Sequence, residues 1–424
     1  MKNVCHLAFA CLFLLVSTAC AVQTPSARYA KFVIGECDRI ERELPRIVRV
    51  AEHMAELYEQ GAAIHFPWNG HGLQQELAGR AGGLMYLVDA SKGQKPEGSD
   101  VPDMAIIGWD GAPGGSDLKQ LKALDAQGCY IIGFGPATHP KLAEHVKLCD
   151  EMFDTGFGKH DHAIQLDKKT RVGKSNHVIN ALSAWTLVGE MVGAMTRRGQ
   201  MPKMWKAYLY PDGRDWAAKY YNKGTRFHED MAIEPIPATQ LGKAYIHRIR
   251  KLTQEFLRTQ QTSVGQAADL IGAEFAAGRK TIAATSGHMP FTFVGKYDDA
   301  VWARPIDLHE SLPSQVKPYR ETMPRDALVL RLGYFGMHPD GPPLFREMNH
   351  RVIAIVAEHP DEDHQLPDDL LAVIQMGSKY GDACVSIAGY PIKILPPSGI
   401  MQAVAYEQVN VEVHARLYRA KTIE

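Results

Sequence analysis

The chain has 424 residues, 45% of them hydrophobic and 22% charged, with a formal net charge of −1. That length accommodates two domains and a large core, and the ordinary composition excludes a disordered or fibrous chain. Balanced charge leaves no electrostatic footprint for nucleic acid or an anionic membrane surface, so neither is an expected partner.

Lys2 precedes a short apolar run, residues 7–16, followed by Ser17-Thr18-Ala19-Cys20-Ala21. The run is too short to span a bilayer and reads as a secretory signal over residues 1–21. The mature chain is therefore expected outside the cytoplasm, periplasmic or extracellular. Ala19-Cys20-Ala21 fits a small-residue cleavage site. Ser17-Thr18-Ala19-Cys20 also resembles a lipobox, with Ser17 where Leu is usual, and would leave a lipid anchor at Cys20. Cys37, Cys129, Cys149 and Cys384 remain beyond the leader and form no CxxC pair, so neither a disulfide framework nor a zinc site is expected.

The first half spans residues 28–200. Ile47, Val50, Ala51, Met54 and Leu57 recur at helical spacing within a predicted helix over residues 37–60. A short buried strand, 62–66, runs into a turn, Trp68-Asn69-Gly70-His71-Gly72, and a helix over 74–81. A strand over 104–109, a helix over 116–126 capped by Ser116, and a strand over 129–134 follow. A short helix, a short strand at 152–153 and a long apolar helix over 176–197 complete the half. Residues 201–240 break this pattern with Trp205, Tyr208, Tyr210, Trp216, Tyr220 and Tyr221. That insert is too aromatic for a flexible linker; it reads equally as an interface arm or as a surface excursion.

The second half, 241–424, repeats the order. A helix over 264–277 leads to a strand over 280–284 and the turn Thr285-Ser286-Gly287-His288. Strands are expected over 327–332, 352–357 and 384–387, and a final helix over 400–417. Gly70 and Gly287 are 217 residues apart; Asp103 and Asp326, and Ser175 and Ser398, are each 223 apart. Near-equal spacing at three landmarks indicates internal duplication. Strands alternating with helices predict an α/β protein of two tandem, doubly wound parallel sheets.

With these elements in place, the chain resembles the sugar isomerase (SIS) family in its double-domain form. The matching pieces are 62–72 with the helix before it, 103–111, 128–134 and the helix from Ser175. In the second half they are 281–288, 326–336, 352–357 and the helix from Ser398. The resemblance implies flavodoxin-like domains that bind a sugar or phosphosugar at the turn after the first strand. It also implies aldose–ketose isomerisation, in which a carboxylate or histidine moves a proton between neighbouring carbons of an open-chain sugar. His71, Glu76 and His288 are the catalytic candidates. Asn69, Gly70, Gly72, Thr285, Ser286, Gly287, Lys174, Ser175 and His177 are the candidate ligand contacts. Glu76 reads equally as a first-turn carboxylate serving its helix dipole, and Ser175 as a helix cap.

The chain departs from the family at its phosphate loops. Gly70-His71-Gly72-Leu73-Gln74 lacks the usual serine, and Gly287-His288-Met289 lacks the second glycine. Trp109-Asp110-Gly111 and Tyr334-Phe335-Gly336 replace a hydroxyl-rich loop, and Asp110 would repel a phosphate. The expected partner is a small-molecule sugar derivative; a homo-oligomer is compatible with the sequence. A non-catalytic exported sugar binder is the alternative. Lys159-His160-Asp161-His162 reads as an exposed polar loop, with a metal-dependent hydrolase the third reading. Gly133-Phe134-Gly135 lacks the third glycine of a dinucleotide turn, with Thr138 in its place, and no cofactor is expected.

Overall fold

The computed structural model describes residues 23–424 except 68–71, 90–100, 112–113, 115, 158–160, 222–224, 288–293, 295–300, 334–336, 359–365, 380 and 424. The predicted leader lies outside the described residues, as do Asn69, Gly70, His71, His160 and His288.

Helix α1, Pro25–Glu59, begins well before the periodic stretch, because Thr24 caps it through Ala27 N–H and Pro25 occupies its first turn. Tyr29, Val33, Cys37, Ile40, Leu44, Ile47, Met54 and Tyr58 form its buried stripe. The first sheet contains β1 (Ile64–Phe66), β2 (Val88–Asp89), β3 (Met104–Gly108), β4 (Tyr130–Gly135) and β5 (Glu151–Asp154). Its strands are parallel and lie in the order β2-β1-β3-β4-β5. Helices α2 (Leu73–Leu77), α3 (Asp117–Ala126) and α4 (Ala143–Lys147) follow strands. A hairpin, β6 (His162–Gln165) with β7 (Arg171–Lys174), leads into α5 (Asn176–Arg197). The predicted bounds of α5 match those observed, since a long, mostly apolar helical run has few competing readings. By contrast α2 stops short of the predicted residue 81, with Gly79 at φ +65° just beyond its end. Ser116 caps nothing; the Asp117 carboxylate accepts Gly114 N–H instead.

After α6 (Gly213–Tyr220), two helices lead into the second half: α7 (Gln240–Thr259), which the repeat pattern does not predict, and α8 (Gln261–Ala276). The second sheet contains β8 (Thr281–Thr285), β9 (Ala303–Asp307), β10 (Leu328–Leu332), β11 (Arg351–Glu358) and β12 (Ala372–Lys379). It too is parallel, in the order β9-β8-β10-β11-β12. Helices α9 (Pro313–Thr322), α10 (Gly341–Glu347) and α11 (Ser398–Ile423) complete it. Both sheets therefore follow the flavodoxin strand order, second-first-third-fourth-fifth. The strand predicted at 384–387 is corrected: the fifth strand is β12, and Val385 makes only a single antiparallel bridge to Ile394. The apolar run there packs as irregular backbone because the sheet edge is already occupied.

One continuous core, running from Tyr29 to Val413, joins the halves through α1, α5, α7, α8 and α11. Smaller clusters cover the outer face of each sheet. Helix α5 is long and apolar enough to cross a bilayer, but its apolar window is wholly buried in protein. Buried Glu190 on α5 accepts the N–H groups of Thr239 and Gly242, and so caps the head of α7. The described residues of 201–236 pack as an arm. Trp205 and Lys203 exchange backbone hydrogen bonds with Gly82, Gly83 and Met85 of the first half. His228 meets the Tyr390 hydroxyl of the second at 3.0 Å.

Candidate functional site

In an open α/β sheet, ligands bind beyond the carboxyl ends of the strands. Past β1, Gly72 takes φ +78°, a left-handed conformation suited to glycine, and opens α2. That short helix carries Glu76, which is fully buried. Its Oε1 accepts the Trp185 indole N–H from α5 at 3.0 Å, and Arg80 Nη1 lies 3.5 Å from its Oε2. The carboxylate rests against the head of α11 in the other half: a Cβ at Gly399 would sit 2.1 Å from Oε2, so only glycine permits the approach. Burial pushes the Glu76 carboxyl up to about 7, against the pull of Arg80 and the Trp185 hydrogen bond.

Arg80, 1% exposed, extends this contact. Its Nη2 donates to Asp382 Oδ2 and to Ser398 Oγ, both at 2.8 Å. Asp382 Oδ1 in turn accepts Ser398 N–H at 3.1 Å. Half one thus supplies Glu76, Arg80 and Trp185, and half two supplies Asp382, Ser398 and Gly399.

The head of α5 has a matching cap. Asp161 Oδ1 accepts Ser175 N–H at 3.1 Å, Ser175 Oγ–H at 3.0 Å and Asn176 N–H at 2.7 Å. Ser175 is the capping residue by position, but Asp161 supplies the capping oxygen. The reading of residues 159–162 as an exposed loop is corrected at Asp161, which is buried because it satisfies that helix head. Burial pushes its carboxyl up to about 7 as well. Asn180 donates to Asp110 Oδ1 at 3.2 Å, and Asn176 to the Asp110 carbonyl at 3.3 Å. Lys174 N–H donates to Glu407 Oε2 at 3.2 Å, and His177 Nε2 lies 4.0 Å from Glu407 Oε1. Burial, with Lys174 adding to it, pushes the His177 imidazole down to about 3, so it is neutral at physiological pH. Lys174 and His177 therefore face a carboxylate of α11.

In half two, Thr285 Oγ1 donates to the Ile306 carbonyl at 3.3 Å, and Gly287 takes φ +118°. Ser286 Oγ accepts from Arg331 Nη2 at 2.9 Å. That guanidinium also grips buried Glu310 through two nitrogens. Among the described candidates, Gly72 and Glu76 come together with the head of α11. Lys174, Ser175 and His177 form a separate group, and Thr285, Ser286 and Gly287 a third. Among the described residues no group of His, Cys, Asp and Glu is arranged to hold a metal ion.

Arg80, Trp185, Asp382, Arg331 and Glu310 were not apparent from sequence. The nearest sequence signal is that Asp161 and Asp382 precede their last-helix serines by 14 and 16 residues, at similar though not equal places in the repeat.

Two α/β domains of flavodoxin topology, joined by a shared helical core, define the class of the protein. No protein-family model matches the chain, and no curated protein matches it. Among solved structures, it is similar to a proposed sugar-binding protein from Salmonella typhimurium LT2, with 10% identity over 90% of this chain and 98% of that one, at TM-score 0.48. It is similar to a proposed phosphosugar isomerase from Clostridium difficile 630 at 9% identity over 92% and 93%, TM-score 0.47. It is also similar to the C-terminal domain of glucosamine-fructose-6-phosphate aminotransferase from Francisella tularensis, at 10% identity over 91% and 96%, TM-score 0.44.

Proposed function

We propose that this protein binds a carbohydrate derivative in the crevice beyond the strand ends of half one, where the head of α11 closes it. The reading unites the resemblance to the double-domain sugar isomerase family with a single observation. Glu76, Arg80, Asp382 and Ser398, drawn from both halves, form one buried polar cluster beyond β1. Preorganised polar groups at such a crevice are the usual basis of small-molecule recognition. His71, Asn69 and Gly70 belong to this reading through their place in the sequence between β1 and α2.

A second reading, aldose–ketose isomerisation, is favoured by the Glu76 carboxyl lying near 7, where a group both takes and returns a proton at neutral pH. Glu76 would take the proton from C2 of an open-chain aldose, leaving an enediolate, and return it to C1 while the O2 proton passes to O1, giving the ketose. Export through residues 1–21 is part of the proposal; the N-terminus of the mature protein distinguishes cleavage before Val22 from lipidation at Cys20.

Thermal-shift measurements with sugars and sugar phosphates test binding, because a ligand of the native state raises Tm by mass action. No shift with any sugar derivative would refute it. Deuterium incorporation at the sugar carbon in D₂O tests catalysis. It is expected with the native protein and lost in Glu76→Gln; exchange that survives this substitution removes Glu76 from the reaction.

A further inference from the structure

Beside the Glu76 cluster lies a pocket of about 120 Å³, partly open to solvent. Gly79 and Arg80 of half one, Trp205, Lys206 and Tyr208 of the arm, and Asp382 of half two line it. Three separate parts of the chain therefore converge on one concave site.

Both cations lining this pocket are already paired. Arg80 is hydrogen-bonded to Asp382 at 2.8 Å, and both are almost completely buried. Lys206 is paired with Asp212 and lies 5.6 Å above the Tyr210 ring and 5.9 Å above the Trp216 ring. Each lining cation is thus already held by a carboxylate, Arg80 by Asp382 within the pocket and Lys206 by Asp212 outside its lining. An entering phosphate would have to compete with Asp382 for a guanidinium already held, and would meet that carboxylate as a like charge. A sugar hydroxyl has no such conflict. It accepts from a guanidinium or ammonium and donates to a carboxylate at once, leaving both ion pairs whole. The wall supplies the rest: Trp205 packs edge-on to Tyr208, with centroids 6.1 Å apart, and is tilted against Tyr221 at 4.8 Å. Tyr208 is 59% exposed, so apolar ring surface is open to the C–H face of a pyranose.

We propose that this pocket is a subsite for an uncharged, hydroxyl-rich ring, a sugar without phosphate. The inference rests on the carbohydrate-binding reading and adds to it a place and a charge class. It gives the arm a function, as the aromatic wall of a site whose floor comes from both halves.

The test uses the full mature chain in calorimetric titration and thermal shift. The probes are glucose, galactose, N-acetylglucosamine and cellobiose, each against its 6-phosphate where one exists, with inorganic phosphate as competitor. At least one neutral sugar is expected to bind, inorganic phosphate to leave its affinity unchanged, and the phosphorylated form to bind more weakly. Trp205→Ala and Tyr208→Ala should each weaken neutral-sugar binding by roughly tenfold or more. The exposed Tyr208 makes the second variant safe for folding. Tighter binding of the phosphorylated form, or competition by inorganic phosphate, would overturn the charge class. Neutral-sugar affinity unchanged in both variants would overturn the pocket while leaving carbohydrate binding standing. Binding of no sugar of either kind would remove both readings.

Discussion

The heads of α5 and α11 are two copies of one device, and they have been put to different uses. In each, an aspartate before the helix accepts the serine N–H at its head: Asp161 for Ser175, and Asp382 for Ser398. Asp161 has Ser175 Oγ–H and Asn176 N–H as further donors, so its cap is local. Asp382 takes Arg80 from the other half, which also binds Ser398 Oγ. The α5 head instead receives Glu407 from α11. Each half thus completes the other's last helix, but only the α11 head combines a cross-half guanidinium with a buried carboxyl near neutrality. The turns after the first strands differ in the same way. Glu76 lies beside the other half, whereas the Ser286 hydroxyl is held within its own half by Arg331. Equivalent scaffolds thus carry different contacts: the α11 head meets a guanidinium from the other half, whereas the α5 head meets a carboxylate.

The sharpest challenge to this contrast is at Arg331. Arg331→Met leaves Glu310 buried without its guanidinium, and should cost about 3–5 kcal/mol in urea unfolding. A loss under about 1 kcal/mol would mean that the pair does not hold the half-two turn together. Asp382→Ala should follow at about 3 kcal/mol, because Arg80 loses its carboxylate partner. Asp161→Ala should cost roughly 1–2 kcal/mol, the usual value of a lost cap. Equal losses at the two aspartates would erase the distinction between a local cap and an interface.

A third comparison is made by pH. Glu76 and Asp161 have folded carboxyls pushed up to about 7, from ordinary values of 4.5 and 3.8. The native state keeps protons that the unfolded chain releases, so their contribution is complete below the ordinary values and is lost as pH rises towards about 7. His177 acts oppositely: with a folded value of about 3 against 6.5, it adds stability as pH climbs through that interval. The two trends partly cancel in the native protein, and the difference between native and Glu76→Gln isolates one carboxyl. That difference should decline by up to about 1.4 kcal/mol per pH unit up to about 7 and then level off. Parallel stability profiles would show that Glu76 titrates as an ordinary carboxylate.

The smallest effect separates the serines. Ser175→Ala removes one donor from a three-donor aspartate, and should cost about 0.5–1 kcal/mol. Ser398→Ala deprives a buried guanidinium of an acceptor and should cost somewhat more, about 1–2 kcal/mol. Denaturant midpoints of the two variants, measured side by side, are sufficient to rank them.

Much of the scaffold was visible in residue order. The parallel sheets follow from apolar strands alternating with helical periodicity. The bounds of α5 came from its mostly apolar helical pattern, and the repeat from the equal spacing of Asp103, Ser175 and their counterparts. Helix α7 had its own signal, in Leu241, Tyr245, Ile249, Leu252 and Phe256 at helical spacing. The last strand was misplaced because 384–387 is as apolar as a true strand, and sheet position is a nonlocal property. Of the site, Glu76 was identified as a candidate, but two equally good local readings of it remained.

The local pattern of this chain carries its α/β class and the repeated order of its elements, because secondary structure depends on residues near one another. Partnership across the halves depends on the packed chain. Arg80 and Asp382 are 302 residues apart in sequence, and Glu76 reaches a helix head that only Gly399 allows it to approach. Nothing in the spacing of these residues encodes that meeting. Burial does the rest: exclusion of water raises the Glu76 carboxyl, lowers the His177 imidazole and makes the pairing of Arg80 costly to break.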